Sequence, residues 1–383
     1  MQSLRELFSL PAHDTYLNGA SRSPQLIAAA DAARDALGWR ESNSGMPIDA
    51  FFAPVARLRA SFARLIGSSE ADRVALIPAA SYGIATLAKN LPLENGQNII
   101  VVQDQFPSNY YAWHRLCAER GARLITVGQP TDGTDSWSDR VLEAINESTA
   151  AVAIAHLHWS TGTIFDLEAI RKRTDDVGAW LVVDGTQSLG AYPFDVGRIR
   201  PDAVVAGGYK WLLGPYGCGY AWYGPRMDDG VPLEENWINR QGSDDFSRLS
   251  EYQVAYRPLA TRYSVGESSN FIMVPMQQAG LDLLNSWAPD TVQRYTEKLW
   301  AGIQPELADL GLEMPAAGGF HLVGLRLPSH IDEGLLRAIL AERSISVSYR
   351  GELVRVSPHV YNTPEDMGRF AEALRDSVTT TRT

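Results

Sequence analysis

Seven short runs of mostly apolar, often β-branched residues punctuate the chain: RVALIP from Arg73, NIIVV from Asn98, RLITV from Arg123, AVAIAHL from Ala151, WLVVD from Trp180, DAVVAG from Asp202 and GYAWYG from Gly219. Most lack the apolar–polar alternation of a half-exposed strand, so they suit strands covered on both faces, with helical or loop stretches between them. The pattern predicts an α/β fold built on a mostly parallel, seven-stranded sheet. From Pro275 the rhythm changes to long amphipathic helical stretches (PMQQAGLDLLNSW, TVQRYTEKLWAGIQPEL) followed by HLVGLRL, ISVSY and LVRVSP, the pattern of a smaller C-terminal α+β domain. At 383 residues, 45% of them hydrophobic, the chain is long enough for a large domain and a smaller one. The polar stretch from Asp228 to Gly266 has weak periodicity and predicts a long excursion from the sheet; long excursions are often functional.

Several function classes are disfavoured at the outset. A formal net charge of −11 without clustered Lys and Arg speaks against nucleic acid as a partner. The N-terminal MQSLRELFSLPAHD carries Arg5 and Glu6 where a signal peptide needs apolar residues, and no run approaches membrane-spanning length, so a cytoplasmic protein is expected. Cys117 and Cys218 are too few and too isolated for a disulfide framework or a zinc site, and no metal is expected.

In such sheets ligands collect at the carboxyl ends of the strands. Those positions carry chemistry here. After VALIP comes AASYG, where Ala80 and Ser81 open a predicted helix whose free N–H groups make a phosphate seat. After NIIVV comes QDQFPSNYYAW with Phe106 and Asn109; after AVAIAHL comes HWSTG with His158, Trp159 and Ser160. WLVVD ends in Asp184, with Gln187 just beyond, and DAVVAG leads into GYKWLLGPYGCG, where Lys210 stands between Tyr209 and Trp211. Singly, Asp184 reads equally well as a helix cap and Lys210 as a snorkelling surface lysine. Jointly, a strand-end aspartate and a strand-end lysine are what pyridoxal phosphate chemistry requires: an amine for a Schiff base and a carboxylate to keep the pyridine nitrogen protonated.

LVVDGTQSLGAYPFDV followed by DAVVAGGYKWLLGPYGCGYAW resembles the class V aminotransferase group of fold type I pyridoxal phosphate enzymes, which includes cysteine desulfurases, kynureninases and isopenicillin N epimerases. YLNGASRSP, RYSVGESSN and LVRVSPHVYNTPEDM match the group's pattern in order, so the resemblance spans most of the chain. It implies the fold type I architecture, pyridoxal 5'-phosphate as cofactor, an amino-acid substrate and a homodimer with shared active sites. The domains expected are an N-terminal segment over the site (1–20), a large cofactor-binding domain (21–270) and a small C-terminal domain (271–383).

The resemblance also assigns roles. Lys210 matches the Schiff-base lysine and Asp184 the pyridine-nitrogen partner. Gln187 matches the residue facing the phenolic oxygen of the cofactor, Phe106 the stacking aromatic with Asn109 nearby, Ala80 and Ser81 the phosphate seat, and Tyr209 the tyrosine preceding the lysine in kynureninases. Arg355 matches the arginine that grips the substrate carboxylate, a task suited to its planar fork. Asn18, Trp159 and Ser160 fall on the substrate side, whereas His158 is expected to pack. Ser268 and Asn270, joined by Trp237, match positions that reach the cofactor from the neighbouring subunit.

Two departures bear on the reaction. Desulfurases commonly carry a serine three residues before the lysine and a histidine just before it, where this chain has Gly207 and Tyr209. They also need a mobile cysteine late in the chain, and the corresponding GLEMPAAGGFHLVGL has none. A side-chain lyase, cleaving C–S or C–C bonds through an external aldimine and a Cα carbanion but without a persulfide cysteine, is the first expectation. An aminotransferase and then an epimerase follow, and a non-catalytic cofactor-binding homologue comes last.

Overall fold

The computed structural model describes residues 2–38, 46–130, 135–314 and 318–378. After a two-residue strand β1 (Thr15–Tyr16), the seven apolar runs become β2 (Val74–Ile77), β3 (Asn98–Val102), β4 (Arg123–Val127), β5 (Thr149–Ala155), β6 (Trp180–Asp184), β7 (Ala203–Gly207) and β8 (Gly219–Tyr223). They form one sheet in the order β2-β8-β7-β6-β5-β3-β4. Strands β3 to β7 pair in parallel, while β8 runs antiparallel to both β7 and β2. The length of the connection explains the exception. A parallel return needs a crossover of a dozen or more residues, usually a helix, and β7 is joined to β8 only by the loop that carries Lys210.

Burial on two faces accounts for the missing alternation. Leu181 and Val183 of β6 join one apolar core with Val152 and Val204, whereas Trp180 and Val182 join the core on the opposite face with Ala153 and Val205. Each buried side chain of this size is worth roughly 1.5–3 kcal/mol. Only an unbroken apolar run satisfies both faces. At the sheet edge β4 is covered less, and Arg123 and Thr126 are exposed.

The C-terminal region supplies β9 (Val323–Arg326), β10 (Ile345–Ser346), β11 (Ser348–Arg350) and β12 (Leu353–Val356). Three of these form an antiparallel sheet in the order β11-β12-β9, and β10 pairs in parallel with β1. Helix Met273–Trp287 packs on helices Ile27–Leu37 and Ala53–Leu65, and one apolar core runs from Phe8 to Leu374. The N-terminal segment lies along the end of β12, where the Gly19 N–H donates to the Ser357 carbonyl at 3.1 Å. The stretch Asp228 to Gly266 carries 3-10 turns at Phe246–Arg248 and Leu259–Tyr263 and leaves Tyr252 and Val254 91% and 87% exposed. No helix among the described residues is long and apolar enough to cross a membrane.

Candidate active site

The carboxyl ends of β2, β3, β5, β6 and β7 converge on a cavity of about 220 Å³, lined among others by Ala80, Ser81, Phe106, Trp159, Asp184, Gln187, Tyr209 and Lys210. The lysine is presented by a tightly folded loop. Gly214 N–H donates to the Gly208 carbonyl at 2.9 Å, and Gln277 Nε2 to the Leu212 carbonyl at 3.2 Å. A Cβ on Gly208 would stand 2.5 Å from both the Cys218 carbonyl and Gln277 Oε1. The glycines flanking the lysine are therefore a matter of space.

Lys210 is only 6% exposed, with Nζ 5.5 Å from the ring centroids of both Phe106 and Tyr209. Burial lowers its pKa to about 8, the positive charges of Arg355 and Arg350 push the same way, and Asp184 opposes them. The amine is thus far more often neutral at physiological pH than that of an exposed lysine. Asp184 is buried at the end of β6, and its Oδ1 accepts from the Thr186 N–H at 2.9 Å. Burial raises its pKa, against the Thr186 hydrogen bonds and the charge of Lys210. A carboxylate so placed calls for a cation. Thr186 Oγ1 also accepts from the Gly207 N–H at 3.3 Å and so ties the ends of β6 and β7 together.

Ala80 and Ser81 begin helix Ala80–Asn90, whose N-cap Ala79 offers no side-chain hydrogen bond, leaving the first N–H groups for an anion in the cavity. Phe106 stands edge-on to Trp159, with centroids 5.5 Å apart. Tyr209 stacks at a tilt on Tyr216 at 4.6 Å, and burial raises the pKa of its phenol, which stays protonated at neutral pH.

Arg355 is 1% exposed, and its fork is held by neutral groups: Nε donates to Ser348 Oγ at 3.0 Å, Nη1 to the Trp159 carbonyl at 2.8 Å and Nη2 to Ser21 Oγ at 2.9 Å. No carboxylate pairs with it among the described residues. Burial lowers its pKa to about 9, helped by the charge of Arg350. A buried guanidinium without an anion is a site waiting for one.

Residues 49–370 match the family model described as aminotransferase class-V. The chain belongs to the class-V aminotransferase family. Its relatives include an uncharacterized aminotransferase, YcbU, of Bacillus subtilis, 27% identical over 81% of this chain and 80% of the relative. An isopenicillin N epimerase of Streptomyces clavuligerus is 25% identical over 88% and 89%, and a kynureninase of Burkholderia mallei 25% identical over 98% and 92%. Among solved structures, a cysteine desulfurase from Thermococcus onnurineus superposes with a TM-score of 0.85 at 19% identity, covering 99% of this chain and 98% of that one. The cystine C–S lyase C-DES, in complex with cysteine persulfide, gives 0.85 at 18% identity over 96% and 99%. These likenesses establish the fold type I architecture.

The cofactor of this class-V enzyme is pyridoxal 5'-phosphate, and the residues present fit it. The uncapped helix start suits its phosphate, Asp184 its ring nitrogen, and Lys210 its aldehyde. Other positions are engaged by the protein's own hydrogen bonds and packing. Asn109 does not line the cavity: the turn Pro107–Asn109 directs it inward, where its Oδ1 accepts from Trp113 Nε1 at 2.9 Å. Gln187 does line it, but its amide already donates to the Ala20 carbonyl at 3.1 Å and accepts from Trp211 Nε1 at 2.8 Å. Asn18 acts at one remove, since its Oδ1 accepts from Ser21 Oγ, which in turn holds Arg355. Ser160 lies in the adjoining groove, its Oγ 3.2 Å from His158 Nδ1. His158 packs against Trp137, and burial lowers its pKa to about 4, so it is neutral.

Trp237, Ser268 and Asn270 do not line this chain's cavity. Trp237 sits 42% exposed among Phe51, Phe52 and Phe246, and Asn270 Oδ1 accepts from the N–H groups of Ile272 and Met273 at the start of a helix. Sequence reasoning missed Gln105, Ser108, Thr186, Tyr216 and Cys218 as lining residues, and Ser21 and Ser348 as supports of Arg355. Ser21 lies inside YLNGASRSP and could have been found; nothing in the local sequence marks Ser348.

Proposed function

We propose that this class-V enzyme is a side-chain lyase, cleaving a C–S or C–C bond of an amino acid and releasing the fragment without an enzyme persulfide. The observation that carries this is a protonated phenol, Tyr209, beside the buried amine of Lys210 in a cavity with no available thiolate. Cys218 does line the cavity, but burial raises its pKa to about 12, so it keeps its proton; Cys117 is buried elsewhere. Within the cysteine-free stretch GLEMPAAGGFHLVGL, residues 315–317 lie outside the described residues.

Bound pyridoxal phosphate supplies the electron sink for the pair left on the substrate Cα. In this reading Arg355 grips the α-carboxylate and Lys210 removes the Cα proton. Asp184 holds the proton on the ring nitrogen. Tyr209 delivers a proton to the departing sulfur when a C–S bond breaks, or to the Cβ that keeps the electron pair when a C–C bond breaks, while Phe106 and Trp159 line the site. Enzyme incubated with an excess of cysteine conjugates, cysteine sulfinate, aspartate or kynurenine, without any keto acid, is expected to give multiple turnovers on one of them. A single turnover rescued by added keto acid would instead establish an aminotransferase, and inversion at Cα an epimerase.

The functional unit in this reading is a homodimer in which Trp237, Ser268 and Asn270 serve the partner's cofactor. The exposed Trp237, Tyr252 and Val254 support it, because a lone chain would leave them in water. Mixing Lys210→Ala subunits with Ser268→Ala/Asn270→Ala subunits should restore about half of the sites in mixed dimers, since one of the two then has every residue intact. No recovery despite verified subunit exchange would place both sets in one chain.

A further inference from the structure

A groove of about 1000 Å³ adjoins the cavity and shares Gln105, His158 and Trp159 with it. Its far wall includes the β11–β12 hairpin, which carries two arginines. Arg355, paired across the hairpin with Ser348, lies near enough to the reacting end for its charge to lower the pKa of Lys210, while Arg350 lines the groove. Both guanidinium groups address the same indole: Cζ of Arg350 is 5.4 Å and Cζ of Arg355 5.9 Å from the ring centroid of Trp159.

We propose that Arg350 is a specificity-determining residue, binding a second carboxylate at the end of the substrate side chain. Its Nη1 donates to the Tyr349 carbonyl at 2.7 Å, and its Nε is buried without a partner. No acidic side chain pairs with it among the described residues, although the neighbouring Arg326 pairs with Glu352 on the same groove. The remaining acid there, Asp104, accepts from Gln103 Nε2 at 3.4 Å. An arginine partly withdrawn from water, stacked on an aromatic wall and lacking an anion is arranged for bidentate recognition of a planar carboxylate. Its charge also reaches the reacting end, where it lowers the pKa of both Lys210 and Arg355. An amino acid with its α-carboxylate on Arg355 has Arg350 across one indole. Acidic side chains are thereby favoured over their amides, whose neutral ends cannot offset the desolvation of the guanidinium.

The inference rests on the amino-acid site at Arg355 and not on the lyase branch. Dissociation constants of aspartate, asparagine, glutamate and glutamine, read from the cofactor absorbance of the holoenzyme, test it. The expectation is at least about tenfold tighter binding of an acid than of its amide, a modest share of what a desolvated charge pair can give. Arg350→Gln should erase that preference and leave the amide constants unchanged, and Arg350→Lys should retain part of it. Equal affinities in the unaltered enzyme, or an equal loss for acid and amide in Arg350→Gln, would overturn the proposal. Arg355→Ala should weaken all four ligands alike; if it weakens none, the α-carboxylate site itself is wrong and the proposal falls with it.

Discussion

Replacing Lys210 with alanine is expected to abolish turnover, lowering kcat by at least ~10⁴-fold, the upper end of what one positioned acid–base group contributes. The cofactor should still bind through the helix start at Ala80 and the carboxylate of Asp184, because neither depends on the lysine. Borohydride reduction of the unaltered holoenzyme should fix the cofactor to the peptide containing Lys210, and that of the variant should fix none. The pH dependence of capture adds a signature. Only the neutral amine attacks an aldehyde, and burial brings the pKa of this one down from 10.5 to about 8. Capture by the cofactor-free protein should therefore accelerate as pH rises toward 8 and level off above it. An exposed lysine would continue to accelerate by two further units. An adduct on another lysine, or turnover surviving in Lys210→Ala, would overturn the assignment.

Asp184→Asn is the second large effect. Asparagine keeps the shape and can still accept from the Thr186 N–H, so the fold and the tie between β6 and β7 should persist. What disappears is the charge proposed to face the ring nitrogen. In this buried position the carboxylate is poorly solvated and its pKa is raised, so a cationic ring nitrogen is its natural partner. Without that charge the ring accepts electrons less readily, and kcat should drop by roughly 10²–10³-fold, the scale of losing one preorganised electrostatic contact. Cofactor absorbance should remain near the unaltered protein's. Near-normal turnover would reduce Asp184 to an anchor for the Thr186 N–H.

The two effects differ in what they leave behind. In the role proposed for it Lys210 moves the proton, so in Lys210→Ala even a single turnover should be lost. Asp184→Asn leaves that group in place and weakens only the pull on the electrons. Single-turnover measurements on both variants, with any amino acid that the unaltered enzyme turns over, therefore separate proton transfer from charge stabilisation.

Much of the architecture was legible in local sequence because two-sided burial writes itself as unbroken apolar runs, and all seven became strands of one sheet. The antiparallel course of β8 was not legible as a direction, although the short loop that causes it stands in the sequence. Lys210 and Asp184 were readable because strand ends in such sheets point at one place. Phe106, Trp159, Tyr209, Ala80 and Ser81 followed for the same reason.

Asn109 shows where that logic stops. A turn of three residues, Pro107–Asn109, decides whether a side chain faces the cavity or the core, and here Trp113 captures it. Gln187 shows a second limit, since its place at the cavity was readable while its ties to Ala20 and Trp211, residues remote in the chain, were not. The sequence by itself determined the sheet, the cofactor chemistry and the residues at its strand ends, all consequences of short-range pattern. Tertiary structure alone decided that Ser21 and Ser348 hold Arg355, that burial keeps the Cys218 thiol protonated at the cavity wall, and that Arg350 looks onto the same indole as Arg355 from a separate groove. The contacts of Ser21 with Arg355 and of Trp159 with Arg350 and Arg355 join segments more than a hundred residues apart, and no local periodicity encodes which distant group a buried polar side chain will meet.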